Sequence, residues 1–160
     1  MKKIFCSLLL MLPMLLAGCS VDLDYRKAVS NNDFEKAHTI LRKMEDKLND
    51  FYENNEMTED NWFTGGTDYS NYHKFEKLCQ NQIDAICFVY GEEMKYLADT
   101  NEPNVKQRIT VLYQDASNDA DRIANKLRNE SKDAAYEVRR NFEENMRNIE
   151  SVLNSILTEE

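Results

Sequence analysis

Four aromatic side chains gather around a glycine pair: Trp62 and Phe63 precede Gly65-Gly66, and Tyr69 and Tyr72 follow it. Rigid rings give contact area at low entropic cost, so Trp62, Phe63, Tyr69 and Tyr72 form a candidate interaction loop for a protein surface or the face of a sugar. The competing use of Trp62 and Phe63 is to fold down and cap the open end of a helical core, because large apolar side chains are as a rule at least partly buried. The same stretch carries Glu53, Glu56, Glu59, Asp60 and Asp68. Hard cations want clustered oxygens, but the acids lack the EF-hand order about a central glycine, so weak cation attraction is the most this loop offers.

The other chemistry-bearing residue types give less. His38 and His73 are the only histidines, far apart and without a metal-ligand spacing. His38 falls beside an apolar stripe and reads as a helix-face residue. The chain holds no nucleophile elbow, phosphate loop or zinc motif. Paired carboxylates are not diagnostic among 29 acids. The expectation is a protein that is not an enzyme, with no catalytic, cofactor or metal site. Cys79 and Cys87 stand eight residues apart in one helix-like stretch. Eight helical residues span about 12 Å, whereas bridged Cα atoms lie under about 7 Å apart, and Gln80 to Ile86 contains no Gly or Pro to break the helix. Two buried thiols are expected; a bridge across a broken helix and a bond to another chain are the alternatives.

The elements that must position these residues are helical. Beyond Gly18 the punctuators are Gly65, Gly66, Gly91 and Pro103, and they divide the chain into three long segments. In the first, Ala37, Ile40, Leu41, Met44, Leu48, Phe51 and Tyr52 recur at three- and four-residue steps. Asp33 is placed to cap this helix, with a short helix over 23–30 folding back on it. Residues 56–70 read as a loop. The second segment, over about 71–100, carries the stripe Tyr72, Phe75, Cys79, Ile83, Ile86, Tyr90, Met94 and Leu97; Gly91 inside it predicts a close helix contact or a kink. Pro103 suits the first turn of the next helix. The third segment, 104–157, has neither Gly nor Pro and would be about 80 Å long if unbroken, against about 45 Å for the second. It must therefore break, near Asn118 or Ser131, or protrude to pair with another copy. With no strand-like alternation of useful length, the chain is expected to be all-α: an up-and-down helical bundle or an array of helical hairpins. Within it, Asn32-Asp33-Phe34-Glu35-Lys36-Ala37 resembles the turn and second-helix start of a tetratricopeptide repeat, with Tyr25 and Ala28 in the preceding helix. No second copy follows at the period of about 34 residues that such repeats need, and the alternative is an ordinary helical turn.

Lys2 and Lys3 precede an apolar run from Ile4 to Leu16, which closes in Leu16-Ala17-Gly18-Cys19. The run is shorter than the roughly 20 residues of a membrane span and has the form of a secretory signal. Its last four residues resemble the lipobox of bacterial lipoproteins, a resemblance confined to the first twenty residues. It implies cleavage before Cys19, lipid on Cys19, and a mature chain over 19–160 read as one helical domain. Ser20 after the cysteine implies, by the same resemblance, the outer membrane, with the chain facing the periplasm of the cell envelope. More than one acyl chain is needed for stable anchoring, which is what a lipoprotein carries.

The net charge is −9, and losing Lys2 and Lys3 with the signal takes it to −11. That argues against nucleic acid, whose binding needs a basic face, and against an anionic membrane surface as the domain's own partner. It favours solubility or a basic protein partner. The functional expectation is a protein-interaction or scaffold module of the envelope, which also leaves room for a homo-oligomer. The alternatives are an acidic inhibitor or immunity lipoprotein that masks a basic toxin or hydrolase, and a binder of small ligands or cations.

Overall fold

Long runs without glycine or proline fold as long helices. The computed structural model describes residues 20–54, 68–100, 103–128 and 132–158. They form α1 (Ser20–Ser30), α2 (Phe34–Asn54), α3 (Asp68–Ala98), α4 (Val105–Arg128) and α5 (Lys132–Thr158), with no strand among the described residues. The fold is the expected all-α helical bundle.

The hairpin between α1 and α2 turns on three residues. Asn32 takes a φ of 56°, a left-handed conformation that asparagine tolerates. Asp33 N donates to Ala28 O at 2.9 Å and Asn32 N to Val29 O at 2.8 Å, which satisfies carbonyls at the end of α1. Asp33 then caps α2: its Oδ1 accepts from Lys36 N at 3.2 Å and its carbonyl from Ala37 N at 3.0 Å. Tyr25, Ala28 and Ala37 are buried where the two helices meet.

The central element is α3, which packs on each of the other four helices. A helix so enclosed must be apolar on several faces, and Phe75, Cys79, Ile83, Ile86, Val89 and Met94 are all buried. α3 runs unbroken through Gly91, so the glycine serves a close approach. A Cβ there would lie 2.6 Å from Ile149 Cδ1 on α5. α4 and α5 pack on each other and on α3. Ala116, Ala120 and Ala124 on α4 and Ala134 and Ala135 on α5 are buried, and their small side chains let the helices approach closely. The third segment breaks at the second of the two expected places: α4 ends at Arg128 and α5 begins at Lys132, while Asn118 lies inside α4. Each half is shorter than α3 and can lie along it.

Two boundaries differ from the sequence reading. α3 begins at Asp68, inside the stretch read as loop, and an acid in the first turn suits the positive end of the helix dipole. Pro103 does not open α4. Asn104 adopts a φ of 67°, so Pro103 and Asn104 form a turn, and the helix starts at Val105 with Arg108 N donating to Asn104 O at 3.0 Å.

Candidate functional site: an acidic cleft between α2 and α4

α2 and α4 both rest on α3, and two pairs of side chains tie them to each other. Arg122 on α4 reaches Glu45 on α2, with Nη2 3.0 Å from Oε2 and Nε 3.2 Å from Oε1. Lys126 Nζ donates to Asn49 Oδ1 at 2.5 Å. Both pairs are separated by 77 residues, so the helices run parallel with a constant offset. The same offset sets Arg42 opposite Asp119, His38 opposite Asp115 and Glu35 opposite Leu112. No bridge crosses between these three pairs among the described residues. The result is a cleft of about 470 Å³, clasped at the Arg122–Glu45 end and open toward the start of both helices.

The walls carry Glu35, Glu45, Asp115 and Asp119, and α3 adds Glu93, Tyr90 and Gln82 to the floor. Five carboxylates therefore face two guanidiniums, Arg42 and Arg122. Floor and walls are joined by two hydrogen bonds. His38 Nε2 lies 2.6 Å from Glu93 Oε2, with the imidazole donating and its ring packed edge-on against Tyr90 at 4.6 Å. Tyr90 donates its hydroxyl to Asp119 Oδ2 at 2.9 Å. Burial, and then the charge of Asp119 and the hydrogen bond to it, hold the Tyr90 phenol well above its ordinary value, so it stays a donor. Arg122 also pairs with Asp119, at 2.8 Å. Its hydrogen bond to Glu45 is the main reason its guanidinium holds its proton even more firmly than usual. Glu45, Glu93 and Asp119 are partly buried, at 18–23% exposure, and there charges interact more strongly than in open water.

This arrangement can bind but is poorly equipped for covalent chemistry. The Tyr90 phenol, whose ring packs against His38, is committed to Asp119. The carboxylates are strung along the cleft, and among the described residues no three of the His, Cys, Asp and Glu side chains converge on a metal-sized point. An extended, donor-rich ligand fits such a line of acceptors better than a single ion does.

Of the residues singled out from sequence, Cys19, Trp62 and Phe63 lie outside the described residues, as do Glu56, Glu59 and Asp60. Tyr69 and Tyr72 belong to α3 and not to a loop. Tyr72 is buried, because it falls on the stripe that continues three and seven residues later in Phe75 and Cys79. Cys79 and Cys87 are free and buried along the intact helix, and burial pushes both thiols up to about 12. His73 sits exposed, 3.3 Å from Glu76. His38 is on a helix face as expected, but its pairing with Glu93 crosses 55 residues and no spacing announces it. The available signal was a second stripe on each wall, flanking the apolar one: residues 35, 38, 42, 45 and 49 on α2, and 112, 115, 119, 122 and 126 on α4. No family model, curated protein or solved structure matches the chain.

Proposed function

We propose that this chain is a lipid-anchored protein of the bacterial cell envelope, held through Cys19, that acts by binding another protein in the α2–α4 cleft. The observation that carries the binding half of this reading is the cleft itself. Two parallel helices are clasped at one end and left open at the other, and five carboxylates line the cleft against two guanidiniums. Such a surface suits a basic partner, and its field speeds encounter with one. The anchoring half rests on the lipobox resemblance, and with it the outer membrane and the periplasmic face. Among the described residues no helix is long and apolar enough to cross a membrane. α1 starts at Ser20, directly after the proposed lipid site, so acylation would hold the bundle close to the bilayer.

Two uses of the cleft differ in where the binding energy lies. An inhibitor of a basic toxin or hydrolase depends on the acids, and salt weakens it strongly. A scaffold subunit depends on apolar contacts and responds little to salt. The charge of the cleft favours the first for the contact made there.

The test is crosslinking in intact cells, followed by capture of the tagged chain and mass spectrometry, with Cys19→Ser run in parallel. The expected result is one basic protein at near-equal stoichiometry, lost at high salt, and release of the Cys19→Ser chain from the membrane. Self-crosslinks alone, through α4 and α5, would instead indicate a structural homo-oligomer. A Cys19→Ser chain still bound to the membrane would sink the anchor.

A further inference from the structure

The cleft does not end with its acids. At its open end a second depression of about 280 Å³ shares Glu93 and Leu112 with it and adds Leu97 and Val111, with Gln107 and Arg108 at its far side from Asp115 along α4. Val111 is 53% exposed, a large aliphatic side chain left to water. Along this face of α4 the groove therefore turns from acidic at Asp115 to apolar at Leu112 and Val111, within one helical turn.

Three observations constrain what fills it. The first is charge left over. Arg122 is spent on Glu45 and Asp119, and Glu93 is paired with His38. Among the described residues Glu35 and Asp115 have no side-chain hydrogen bond or ion pair, and Arg42, which bonds only Thr39 Oγ1, has no ion pair, so two carboxylates stand against one guanidinium. The second is an acceptor in the floor. Gln82 is only 3% exposed and spends its amide N–H on Leu41 O at 3.0 Å, and its own side-chain oxygen has no partner among the described residues. A nearly buried acceptor without a donor is costly, and a ligand that brings donors relieves it. The third is shape: acids spread along a helix and continued by an aliphatic patch match an extended amphipathic ligand. Two occupants are disfavoured by charge. A second copy of the chain brings the same net charge of −9, and the chain's own segment 55–67 contains Glu56, Glu59 and Asp60 with no Lys or Arg.

We propose that the groove docks a segment of a partner protein, seating a lysine or arginine among Glu35, Glu93 and Asp115 and a neighbouring aliphatic side chain against Leu97, Val111 and Leu112. This specifies the partner class within the protein-binding reading above and rests on that reading. Asp115 and Val111 lie about 6 Å apart along the axis of α4, so the two anchors are three or four residues apart if the segment is helical and about two apart if it is extended.

The test pans a phage-displayed library of random short peptides against the full chain in nonionic detergent and measures the affinity of the enriched sequences as synthetic peptides. Glu35 and Asp115 are unpaired and exposed and Val111 is exposed, so Glu35→Gln/Asp115→Asn and Val111→Ser leave the fold intact, which circular dichroism and the melting temperature check. The expected result is peptides with Lys or Arg close to Leu, Ile or Val that bind about tenfold more weakly to each variant. Free spermine, which has charge but no aliphatic anchor, should compete poorly. The proposal falls if no peptide is enriched, if enriched peptides lack a basic residue, if neither variant weakens them, or if spermine displaces them as well as an unlabelled peptide does. Should it fall while a basic protein is still captured from cells, the protein-binding reading stands and another surface carries it; loss of both results removes both.

Discussion

Helix α4 shows two unlike sides. Toward α5 and α3 it presents Ala116, Ala120, Ile123, Ala124 and Leu127, all buried. Toward α2 it presents Asp115, Asp119, Arg122 and Lys126, of which Arg122 and Lys126 reach α2 through extended side chains. Small residues bring backbones together and leave no space between them. Long charged residues hold the neighbouring helix at arm's length, so α2 meets α4 through the tips of Arg122 and Lys126 and a cleft remains. Ion pairs between partly exposed groups contribute little to stability, of order 1 kcal/mol or less. The packed side of α4 therefore contributes more to stability than the side toward α2, which is the one proposed to bind.

That contrast can be broken or sharpened by experiment. The largest effect belongs to the packed side. Phe142 on α5 is 1% exposed, and Phe142→Ala should cost about 3–5 kcal/mol in denaturant unfolding. A loss under about 1 kcal/mol would mean that the core lies elsewhere.

Next comes alkaline pH, which probes the thiols of α3. Cys79 and Cys87 ionise near 9.0 when unfolded and are held up to about 12 by burial. Above pH 9 the unfolded chain loses these protons first, so the native state binds more of them and stability falls as pH rises toward 12. The contribution is on the order of 1–2 kcal/mol per thiol by about pH 10.5, and Cys79→Ala/Cys87→Ala should flatten that slope. A slope unchanged in the double variant would show that the thiols are not shielded as described.

The smallest effect belongs to the cleft. Tyr90→Phe removes the donor to Asp119, which keeps Arg122, and should cost about 1 kcal/mol. In a double-mutant cycle with Asp119→Asn most of that cost should be shared by the pair. An additive cycle would deny that the bond organises the cleft.

Much of the packed side was legible in the sequence. The apolar stripes of the first two segments name most of the buried residues of α2 and α3, Asp33 caps α2 as its type and place suggest, Gly91 marks the α3–α5 approach, and the need for a break in the last segment follows from its length against α3. Local propensity decides these features, or a length does. The boundary at Pro103 differs because turn geometry competed with propensity: Asn104 takes the left-handed turn position, and the helix waits until Val105. Tyr72 looked like part of an aromatic loop but follows the periodicity of its own stripe into the core. The cleft was not legible, because it depends on the offset of 77 residues between two helices that are not adjacent in sequence. His38 and Glu93, or Tyr90 and Asp119, become neighbours only after α2 and α4 have both docked on α3.

The most direct test of the account places a photo-crosslinking amino acid at Val111, on the cleft, and at Tyr136 on α5, which is 66% exposed and lines no part of the cleft, and irradiates living cells. The expected result is one dominant adduct from position 111, to a protein with basic residues at the crosslinked segment, and none from position 136. The same partner captured equally from both positions, or from 136 alone, would contradict the claim that the α2–α4 cleft is the binding face.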